Sequence, residues 1–520
     1  MLKEYDVAIV GAGPAGTTTA GLLAKQGYRV LVIEREKFPR YHIGESLVPG
    51  VLPVLQELGL SDQVARYGFI DKYGITLLWG KLRDPWTTFF GEVGPFEHSY
   101  QVVRSEFDYL MLQHARRLGA TVLEETPLVD FVFEGDRCTG IAYSTANGTM
   151  NTVRARYVVD ASGQSSLLAR KLKLVQWDED LKNVAIWAYY QGGRTLDGKY
   201  AGNILVENML DGWLWDIPLH DGTHSVGWVT RATNVNGRED LERSYRRMID
   251  SSLETRRLLA EATRVSGFRT ARDWSYKSKR FWGPGFLLAG DAAGFVDPLF
   301  STGVFLAMNG GSLAAKILSD ALQHPERELE LLARYDETYK NFLDVVISFV
   351  RYFYDASLDK EMYWDHARTL IDPLEQMSAR QDFVYLISGL HGIRSVMSLE
   401  RQFTLGELEC SDETRTPREL FNELRDVLEH EPHRTVGLTA LYQFDISGEQ
   451  GGKWYVDIVD GKAKICEGQA ANPGCTIVMQ DSDYVAMATG RLRGSTAFMT
   501  GKLRAQGDIA LAMKANSIFG

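Results

Sequence analysis

Residues 290–303, GDAAGFVDPLFSTG, combine two patterns that could each bind part of a ligand. Gly290 and Asp291 stand in a run of small residues, where the backbone can approach a ligand closely and the acid can accept a sugar hydroxyl. Residues 301–303, Ser-Thr-Gly, follow an oily stretch and offer hydroxyl and N–H donors without a competing carboxylate, which suits a small anion or an oxyanion. A helix beginning there would point its N-terminal N–H groups at that anion.

The N-terminal region carries the pattern of a dinucleotide-binding unit. An apolar run at 5–10 ends in the turn GAGPAG, and a helical pattern and a second apolar run follow before Glu34. In such a unit Gly11 permits the tight turn, Gly13 the close approach of a pyrophosphate, and Gly16 the packing of helix against strand. Glu34 then stands where an acid would meet ribose hydroxyls. The alternative, a glycine turn without a ligand, leaves that acid unexplained.

A long irregular loop at 38–50, FPRYHIGESLVPG, interrupts the alternation of strands and helices beside this turn. Such a loop more often contacts a ligand than serves as a spacer. Gly44, Glu45 and Ser46 could lay their backbone against a flat ring, so we expect them at a cofactor.

Two further positions are candidates for cofactor contacts. Residues 121–160 alternate as strands and end at Asp160 in the small-residue run DASG, where backbone can meet a cofactor. Arg104, just outside a helix, could pair with a phosphate or with Glu106, and the local sequence leaves both open.

Lysine and tryptophan residues supply the remaining candidates. Lys81 ends the apolar run ITLLWGK and is either a surface cation or an amine that projects into a cavity with a perturbed pKa. Trp213 and Trp215 stand two residues apart in DGWLWDIP and would share one face of a strand. They predict an aromatic wall beside a ligand or, equally, a pair in the core.

Length and composition limit the classes of protein. A chain of 520 residues predicts two to four domains, and its net charge of −11 disfavours nucleic acid or an anionic membrane surface as a partner. The four cysteines have no close metal-ligand spacing, so we expect free thiols and no metal. The absence of a targeting segment predicts a cytoplasmic protein, and the apolar run 342–353 is too short to span a bilayer.

The pattern changes twice along the chain, which predicts a core at 1–321, a mostly helical cap segment at 322–428 and a compact α+β unit at 429–520. The last unit has a hairpin with Asp460-Gly461 at its turn. Its apolar stripe, an adaptable pocket or plain core, consists of Met487, Phe498, Met499 and Met513.

These motifs together resemble a known family. GAGPAG with Glu34, GDAAG and the strand ending in DASG resemble the flavoprotein monooxygenase superfamily and its FAD fold. Within it, the chain resembles the flavin-dependent halogenases through WxWxIP at 213–218, FxxPxxSxG at 295–303, and a lysine after WG. The likeness covers about residues 5–320 and is greatest to halogenases acting on phenols or carrier-tethered aromatics. Residues 430–520 separately resemble a sterol-carrier-protein lipid-binding domain.

The resemblance implies a fold, a chemistry and roles for residues. The fold is α/β: a Rossmann-like FAD-binding domain with an interleaved β-rich substrate region, then a helical segment and an α+β lipid-binding-like domain. FAD, reduced by a separate flavin reductase, would react with oxygen to give a flavin hydroperoxide, which would oxidise chloride or bromide to a hypohalous acid. That oxidant would then reach the essential lysine and halogenate an electron-rich ring. The implied catalytic residues are Lys81, Trp213 and Trp215; the cofactor residues are Gly11, Gly13, Ala15, Gly16, Glu34, Arg35, Gly44, Glu45, Ser46, Arg104, Asp160, Gly290 and Asp291; the halide residues are Ser301, Thr302 and Gly303.

The implied substrate is a phenolic or pyrrolic aromatic rather than free indole, because the glutamate that tryptophan halogenases use has no identifiable counterpart in this sequence. The substrate could be free or tethered to a carrier protein, and the C-terminal unit could hold an acyl or lipid chain. The alternatives are an FAD-dependent aromatic hydroxylase, a prenyl-chain reductase, or a lipid carrier with a degenerate flavin domain.

Overall fold

A computed structural model describes residues 4–82, 84–235, 237–371, 376–391, 416–430, 435, 438–488, 497, 502–507 and 511. The described residues form two compact units. One contains the chain up to Ile371 together with 377–391, and the other contains Gln376 and the residues from 416 onward. The expected boundaries near 321 and 428 stay predictions.

The strands of the first unit are β1 (Glu4–Val10), β2 (Val30–Ile33), β3 (Ile70–Lys72), β4 (Gly74–Leu78), β5 (Pro85–Phe89), β6 (Ser99–Gln101), β7 (Thr121–Leu123), β8 (Leu128–Glu134), β9 (Arg137–Ser144), β10 (Met150–Asp160), β11 (Val175–Gln191), β12 (Ile204–Met209), β13 (Gly212–Pro218), β14 (Thr223–Arg231), β15 (Thr263–Arg264), β16 (Arg269–Ser278), β17 (Trp282–Gly283), β18 (Phe286–Leu288) and β19 (Gly294–Phe295). Its helices are α1 (Pro14–Lys25), α2 (Leu52–Leu58), α3 (Ser61–Ala65), α4 (Arg104–Arg117), α5 (Leu167–Lys171), α6 (Arg238–Ser251), α7 (Glu254–Leu258), α8 (Gly303–Gln323), α9 (Glu328–Phe353), α10 (Lys360–Leu370) and α11 (Ala379–Ile387).

A Rossmann-like sheet forms the first layer and confirms the predicted fold class. Its strand order is β17-β18-β10-β1-β2-β7, with β1, β2, β7, β10 and β18 running parallel. Strands β2 and β18 are buried along their whole length and read as continuous apolar runs, as expected for a parallel sheet covered on both faces. Their carboxyl ends meet at one edge, where the turn after β1, Glu34 after β2 and Asp160 at the end of β10 come together.

A second, mostly antiparallel sheet carries the tryptophan motif. Its strand order is β19-β16-β11-β14-β13-β12-β4-β5, and β13 lies between β12 and β14. The β-rich region predicted from the sequence is therefore a single sheet interleaved with the dinucleotide fold. The short pair β3 and β6 stands apart from it, with Lys72 opposite Ser99.

Helices α1 and α8 cross at very short range. A Cβ on Gly311 would lie 2.5 Å from the carbonyl oxygen of Ala15, so only glycine permits this approach. Thr19 Oγ1 donates to the carbonyl of Gly311 at 3.0 Å across the same crossing. The helix that begins at the candidate anion turn is thereby fixed to the helix that begins at the glycine turn.

The second unit is a sheet covered by helices, as the α+β expectation required. Its strands are β20 (Ala440–Ser447), β21 (Gly452–Val459), β22 (Lys462–Glu467), β23 (Cys475–Gln480) and β24 (Leu503–Gly507), in the order β22-β21-β20-β23-β24. Its helices are α12 (Pro417–His430) and α13 (Asp481–Ala488). The predicted hairpin turn is confirmed, with Asp460 and Gly461 both at positive φ between β21 and β22.

The apolar stripe predicted for this unit is described only in part. Met487 packs against the buried cluster of the unit, whereas Phe498, Met499 and Met513 lie outside the described residues. Phe421 of α12 stacks on Trp454 and Tyr484 at 4.7 and 4.9 Å, so α12 is integral to the core of this unit. Cys138, Cys466 and Cys475 are not in disulfide bonds. None of the described helices combines the length and apolar character that crossing a bilayer needs.

Candidate active site

The glycine turn after β1 has the geometry that a pyrophosphate requires. Gly11 has φ +103°, and a Cβ there would lie 2.4 Å from the carbonyl oxygen of Ala161. A Cβ on Gly16 would lie 2.0 Å from the carbonyl oxygen of Gly11. The first N–H groups of α1, which follows Gly13, have no partners within the helix and can accept an anion.

Glu34 is fixed directly beside that turn. Its Oε2 accepts from the backbone N–H of Ala12 at 2.9 Å, and its Oε1 accepts from the N–H of Glu36 at 3.0 Å. The carboxylate therefore holds the loop after β2 to the glycine turn, where a ribose can reach it. Arg35, in contrast, is exposed and lies 3.5 Å from a carboxylate oxygen of Glu36.

The two other candidate acids of this edge differ in their availability. Asp160 is buried, and its oxygens accept the N–H groups of Ser162 at 3.0 Å and Leu168 at 2.7 Å, so it organises its own loop. Asp291 is half-buried in the turn that contains Gly290. Burial raises its pKa to about 6 against the opposing field of Arg104. Asp291 is thus the acid with capacity for a ligand hydroxyl.

The carboxylate partner of Arg104 is Asp108 and not Glu106, and a contact with a phosphate stays a prediction. Its guanidinium forms a bidentate pair with Asp108 at 2.8 and 3.0 Å and donates to the carbonyls of Ile43 and Gly44 at 2.8 and 3.1 Å. A Cβ on Gly44 would lie 2.8 Å from Arg104 Nη1. This arginine therefore holds the irregular loop to α4.

Glu45 is a buried acid on the same loop. Its Oε1 accepts from the Tyr189 hydroxyl at 2.7 Å, and its Oε2 has no hydrogen-bond partner among the described residues. Burial raises the pKa of Glu45 to about 7, while Ser225, Tyr189 and Arg104 oppose the shift. Neighbouring Ser46 is also buried, with an unpartnered hydroxyl.

The tryptophan pair is connected to the anion turn by a polar network that the sequence did not indicate. The rings of Trp213 and Trp215 lie 5.9 Å apart on one face of β13. Trp213 Nε1 donates to the Tyr354 hydroxyl at 2.9 Å, which donates to Asp297 Oδ2 at 2.7 Å. Asn183 Nδ2 donates to the same oxygen at 2.9 Å. Burial raises the pKa of Asp297 to about 6, so this acid changes charge in a physiological pH range.

The turn before α8 has the donors expected of an anion site. Ser301 adopts a left-handed conformation, with φ +59°. Thr302 is 2% exposed, and its Oγ1 has no hydrogen-bond partner among the described residues. Gly303 begins the 21-residue helix α8, whose first turn contains no acid. A Cβ on Gly44 would lie 3.9 Å from Val304 Cγ2, so the irregular loop borders this turn.

Lys81, the lysine suggested by the resemblance, is exposed in the turn after β4. That position fits the surface-cation alternative, and the catalytic role stays a prediction. Lys72 is the lysine that the structure buries: it has no exposed surface, its Nζ donates to the Leu47 carbonyl at 3.0 Å, and it lies 5.4 Å from the Phe90 ring centroid. Burial lowers the pKa of Lys72 to about 7.

The residues present fit a bound FAD. The glycine cradle would contact the pyrophosphate, Glu34 a ribose, Asp291 the sugar-alcohol chain, and the loop around Gly44 the ring. The fold and this site define an FAD-dependent flavoprotein.

Comparisons with known proteins agree and are more specific. The sequence profile of the family described as FAD binding domain matches residues 4–350. The sulochrin halogenase gedL of Aspergillus terreus is 34% identical over 415 residues, covering 72% of this chain and 76% of the relative. The tryptophan 2-halogenase of Chondromyces crocatus is 32% identical over 400 residues, covering 75% of this chain and 76% of the relative.

Solved structures give the same result. The myxobacterial chondrochloren halogenase CndH aligns with a TM-score of 0.65 and 33% identity over 76% of this chain and 97% of its own. The flavin-dependent halogenase CmlS aligns with a TM-score of 0.66 and 27% identity over 98% of this chain and 96% of its own. The chain belongs to the flavin-dependent halogenases. The profile of the SCP-2 sterol transfer family matches residues 421–520, which confirms the expected C-terminal domain.

Proposed function

We propose that this enzyme halogenates an electron-rich aromatic compound, phenolic or pyrrolic and either free or tethered to a carrier protein. The halogen comes from chloride or bromide, and a hypohalous acid is the halogenating species. A separate flavin reductase delivers FAD in reduced form. Reduced FAD supplies two of the four electrons that reduce oxygen to water, and the halide supplies the other two as it is oxidised.

The burial of Lys72 is the observation that carries this proposal. The Lys72 side chain has no exposed surface, and its pKa is lowered to about 7. A large fraction of this lysine is therefore a neutral amine at neutral pH. A neutral amine can hydrogen-bond a hypohalous acid or take its halogen as a chloramine or bromamine. Lys81 is exposed, so water would compete for an oxidant there.

The halide is proposed to bind at Thr302 and the N-terminal N–H groups of α8. The unpartnered Thr302 hydroxyl and the helix N-terminus both favour an anion, and the first turn of α8 has no carboxylate to repel it. Trp213 and Trp215 would form an apolar wall beside the route from this turn to the substrate, which restricts water and favours halogen transfer.

The lining near Lys72 supports a hydroxyl-bearing substrate. Ser99 stands opposite Lys72 across the β3 and β6 pair, Gln101 lies two residues further on the same face, and Ser46 pairs with Gln101. Ser46 Oγ, Ser99 Oγ and Gln101 Oε1 are buried without a partner among the described residues. A phenol hydroxyl can satisfy such groups and is itself the activating substituent of the ring, whereas an indole offers one donor and no acceptor.

A paired lysine comparison tests the proposal. The protein is incubated with a flavin reductase, NADH, FAD, chloride or bromide and a panel of phenols, pyrroles and indoles, with detection by mass spectrometry. We expect a halogenated phenol or pyrrole from the native protein and from Lys81→Met, and none from Lys72→Met. Hydroxylation without halide as the sole reaction would support the aromatic hydroxylase instead. Normal halogenation by Lys72→Met with loss in Lys81→Met would return the role to Lys81.

We further propose that the C-terminal domain binds an acyl or lipid-like chain and holds a substrate tethered to it. The SCP-2 match and the buried apolar cluster of the unit support a role in binding such chains. A chain ending at residue 415 should keep turnover on free phenols and lose affinity for long-chain conjugates. Equal affinity of both chains for a conjugate would contradict this role.

A further inference from the structure

A continuous line of hydrogen bonds connects the protein surface with the buried acid Glu45. Tyr41 is 39% exposed, and its hydroxyl lies 3.0 Å from the hydroxyl of Tyr189. The Tyr189 hydroxyl donates to Glu45 Oε1 at 2.7 Å. Trp187 Nε1 donates to the Tyr41 hydroxyl at 2.6 Å. The two tyrosine hydroxyls and the Glu45 carboxylate can therefore pass a proton from one to the next.

The carboxylate at the inner end sets the direction of these hydrogen bonds. An ionised carboxylate can only accept, so the Tyr189 hydroxyl donates its one proton to Glu45 and accepts from Tyr41, whose oxygen also accepts from the Trp187 N–H. The Tyr41 oxygen keeps a second lone pair for a proton from solvent. A proton that enters at Tyr41 can thus shift each hydroxyl proton one place inward and protonate the carboxylate.

The inner end lies among residues of the candidate active site. The Glu45 carboxylate is beside the Ser225 hydroxyl, which accepts from Trp215 Nε1 at 3.3 Å. The preceding residue, Gly44, borders the first turn of α8, because a Cβ there would lie 3.9 Å from Val304 Cγ2. The relay protonates Oε1, whereas the buried Oε2 has no partner among the described residues. A rotation of the carboxyl group exchanges the two oxygens, and the proton can then leave from the unpartnered position.

Several charged and titratable groups act on this line. Arg104 and Asp221 act on Glu45 with opposite signs, and Ser225 hydrogen-bonds to it. Asp291 acts on Arg104. The guanidinium of Arg269 lies 3.6 Å from the Tyr41 ring centroid. Arg104 favours the charged carboxylate, and burial favours the neutral acid, so both protonation states are accessible.

Halogenation consumes a proton that must come from solvent. One aromatic C–H, one halide ion, one oxygen molecule, the two electrons and two protons of reduced FAD, and one further proton give one carbon–halogen bond, oxidised FAD and two water molecules. The halide enters as an anion and its halogen leaves in a neutral product. One proton is therefore taken up from solvent in each turnover.

We propose that Tyr41 and Tyr189 relay this proton from solvent to Glu45, and that Glu45 donates it beside the halide turn. Glu45 is then a proton donor in the reaction, and the tyrosines are its connection to the surface. The assignment rests on the proposed function, because the proton is consumed by halogenation.

The first test follows the relay without any turnover. The full chain is transferred rapidly from about pH 9 to about pH 5, on either side of the Glu45 pKa of about 7, and the carboxylic acid band of Glu45 is followed by infrared spectroscopy. Glu45→Gln identifies the band by its loss. We expect Tyr189→Phe to slow protonation by at least about ten-fold, because it removes the hydroxyl and keeps the ring.

Tyr190→Phe is the matched control. Tyr190 is the next residue on β11, and its hydroxyl accepts from Tyr245 at 3.2 Å, outside the relay. This variant should protonate Glu45 at the native rate. If Tyr189→Phe does so too, the relay is wrong. Should Tyr189→Phe lose its native circular dichroism, Tyr41→Phe at the surface gives the same comparison.

A second test connects the relay to turnover. The solvent deuterium isotope effect on halogenation should increase in Tyr189→Phe and stay at the native value in Tyr190→Phe. An unchanged isotope effect beside slowed protonation of Glu45 would overturn the link to the reaction. A native protein that protonates Glu45 rapidly and halogenates no aromatic would refute the proposed function and leave the proton path standing.

Discussion

Replacement of Lys72 by methionine should make the protein more stable while it abolishes halogenation. The native structure holds an amine in a site without exposed surface, where its Nζ donates to the Leu47 carbonyl at 3.0 Å. Methionine has a similar length and no charge, so it fills the site without the desolvation cost of the ammonium group.

The magnitude follows from the pKa. A shift of the Lys72 pKa from 10.5 to about 7 corresponds to about 5 kcal/mol of free energy that opposes folding at neutral pH. The loss of the hydrogen bond to the Leu47 carbonyl lowers the free energy of unfolding by about 1–2 kcal/mol. The net expectation is a gain of about 3 kcal/mol in the free energy of unfolding at pH 7.

The pH dependence distinguishes this cause from a general packing effect. Between pH 7 and 10.5 the unfolded chain binds a proton at this lysine that the native state does not, so native stability rises with pH by about 1.4 kcal/mol per unit. The methionine variant lacks that slope. Its advantage should therefore be largest at pH 7 and below, and should disappear as the pH approaches 10.5.

Urea unfolding of both proteins, followed by tryptophan fluorescence across this pH range, measures the effect, and the halogenation assay is run on the same samples. Lys81→Met serves as the control, because its exposed side chain should leave stability nearly unchanged at every pH. A methionine variant at position 72 that is less stable at pH 7, by an amount independent of pH, would refute the assignment of a desolvated amine.

Three further substitutions test other parts of the site. Thr302→Val removes the unpartnered hydroxyl, and we expect the KM for halide to rise about ten-fold at unchanged FAD affinity; an unaltered KM would place the halide elsewhere. Tyr354→Phe removes a donor to Asp297 and should lower the free energy of unfolding by about 1–2 kcal/mol at about pH 8 and by less at about pH 5, where the acid is neutral. Equal losses at both pH values would contradict that account. Gly16→Ala places a Cβ 2.0 Å from the Gly11 carbonyl oxygen and should weaken FAD binding at least about ten-fold in a fluorescence titration; native affinity would show that the turn can widen.

The parts of the site that the sequence predicted are those encoded locally. The glycine turn, Glu34 at the end of the second strand and the start of α8 each depend on residues a few positions apart, and the structure contains all of them. The tryptophan pair was also predictable, because residues two apart on a strand share a face.

Long-range contacts decided the rest. Lys72 lies in a short strand without a recognisable motif. Its burial depends on the pairing of that strand with β6 and on the carbonyl of Leu47, which is 25 residues away in the sequence. Asp297 and Tyr354 meet across 57 residues of sequence, and neither has a local signal. An exposed lysine after WG was easier to recognise than a buried one with no motif of its own.

Arg104 and Asp160 illustrate a different limit. The sequence indicated polar residues near a cofactor, and both lie at that edge of the molecule. It did not reveal that Arg104 is already hydrogen-bonded to Asp108, or that Asp160 already accepts backbone N–H groups of its own loop. Residue type predicted the location, whereas the partner depended on the folded chain.

The crossing of α1 and α8 at Gly311 has a consequence for the order in which the enzyme fills. One helix begins at the glycine turn and the other at the proposed halide turn, and the Gly311 backbone of one meets the Ala15 carbonyl and the Thr19 hydroxyl of the other at short range. A displacement at either N-terminus is therefore transmitted to the other. By thermodynamic reciprocity, the factor by which halide tightens FAD binding must equal the factor by which FAD tightens halide binding. Any effect of one ligand on the affinity for the other is therefore the same in both directions.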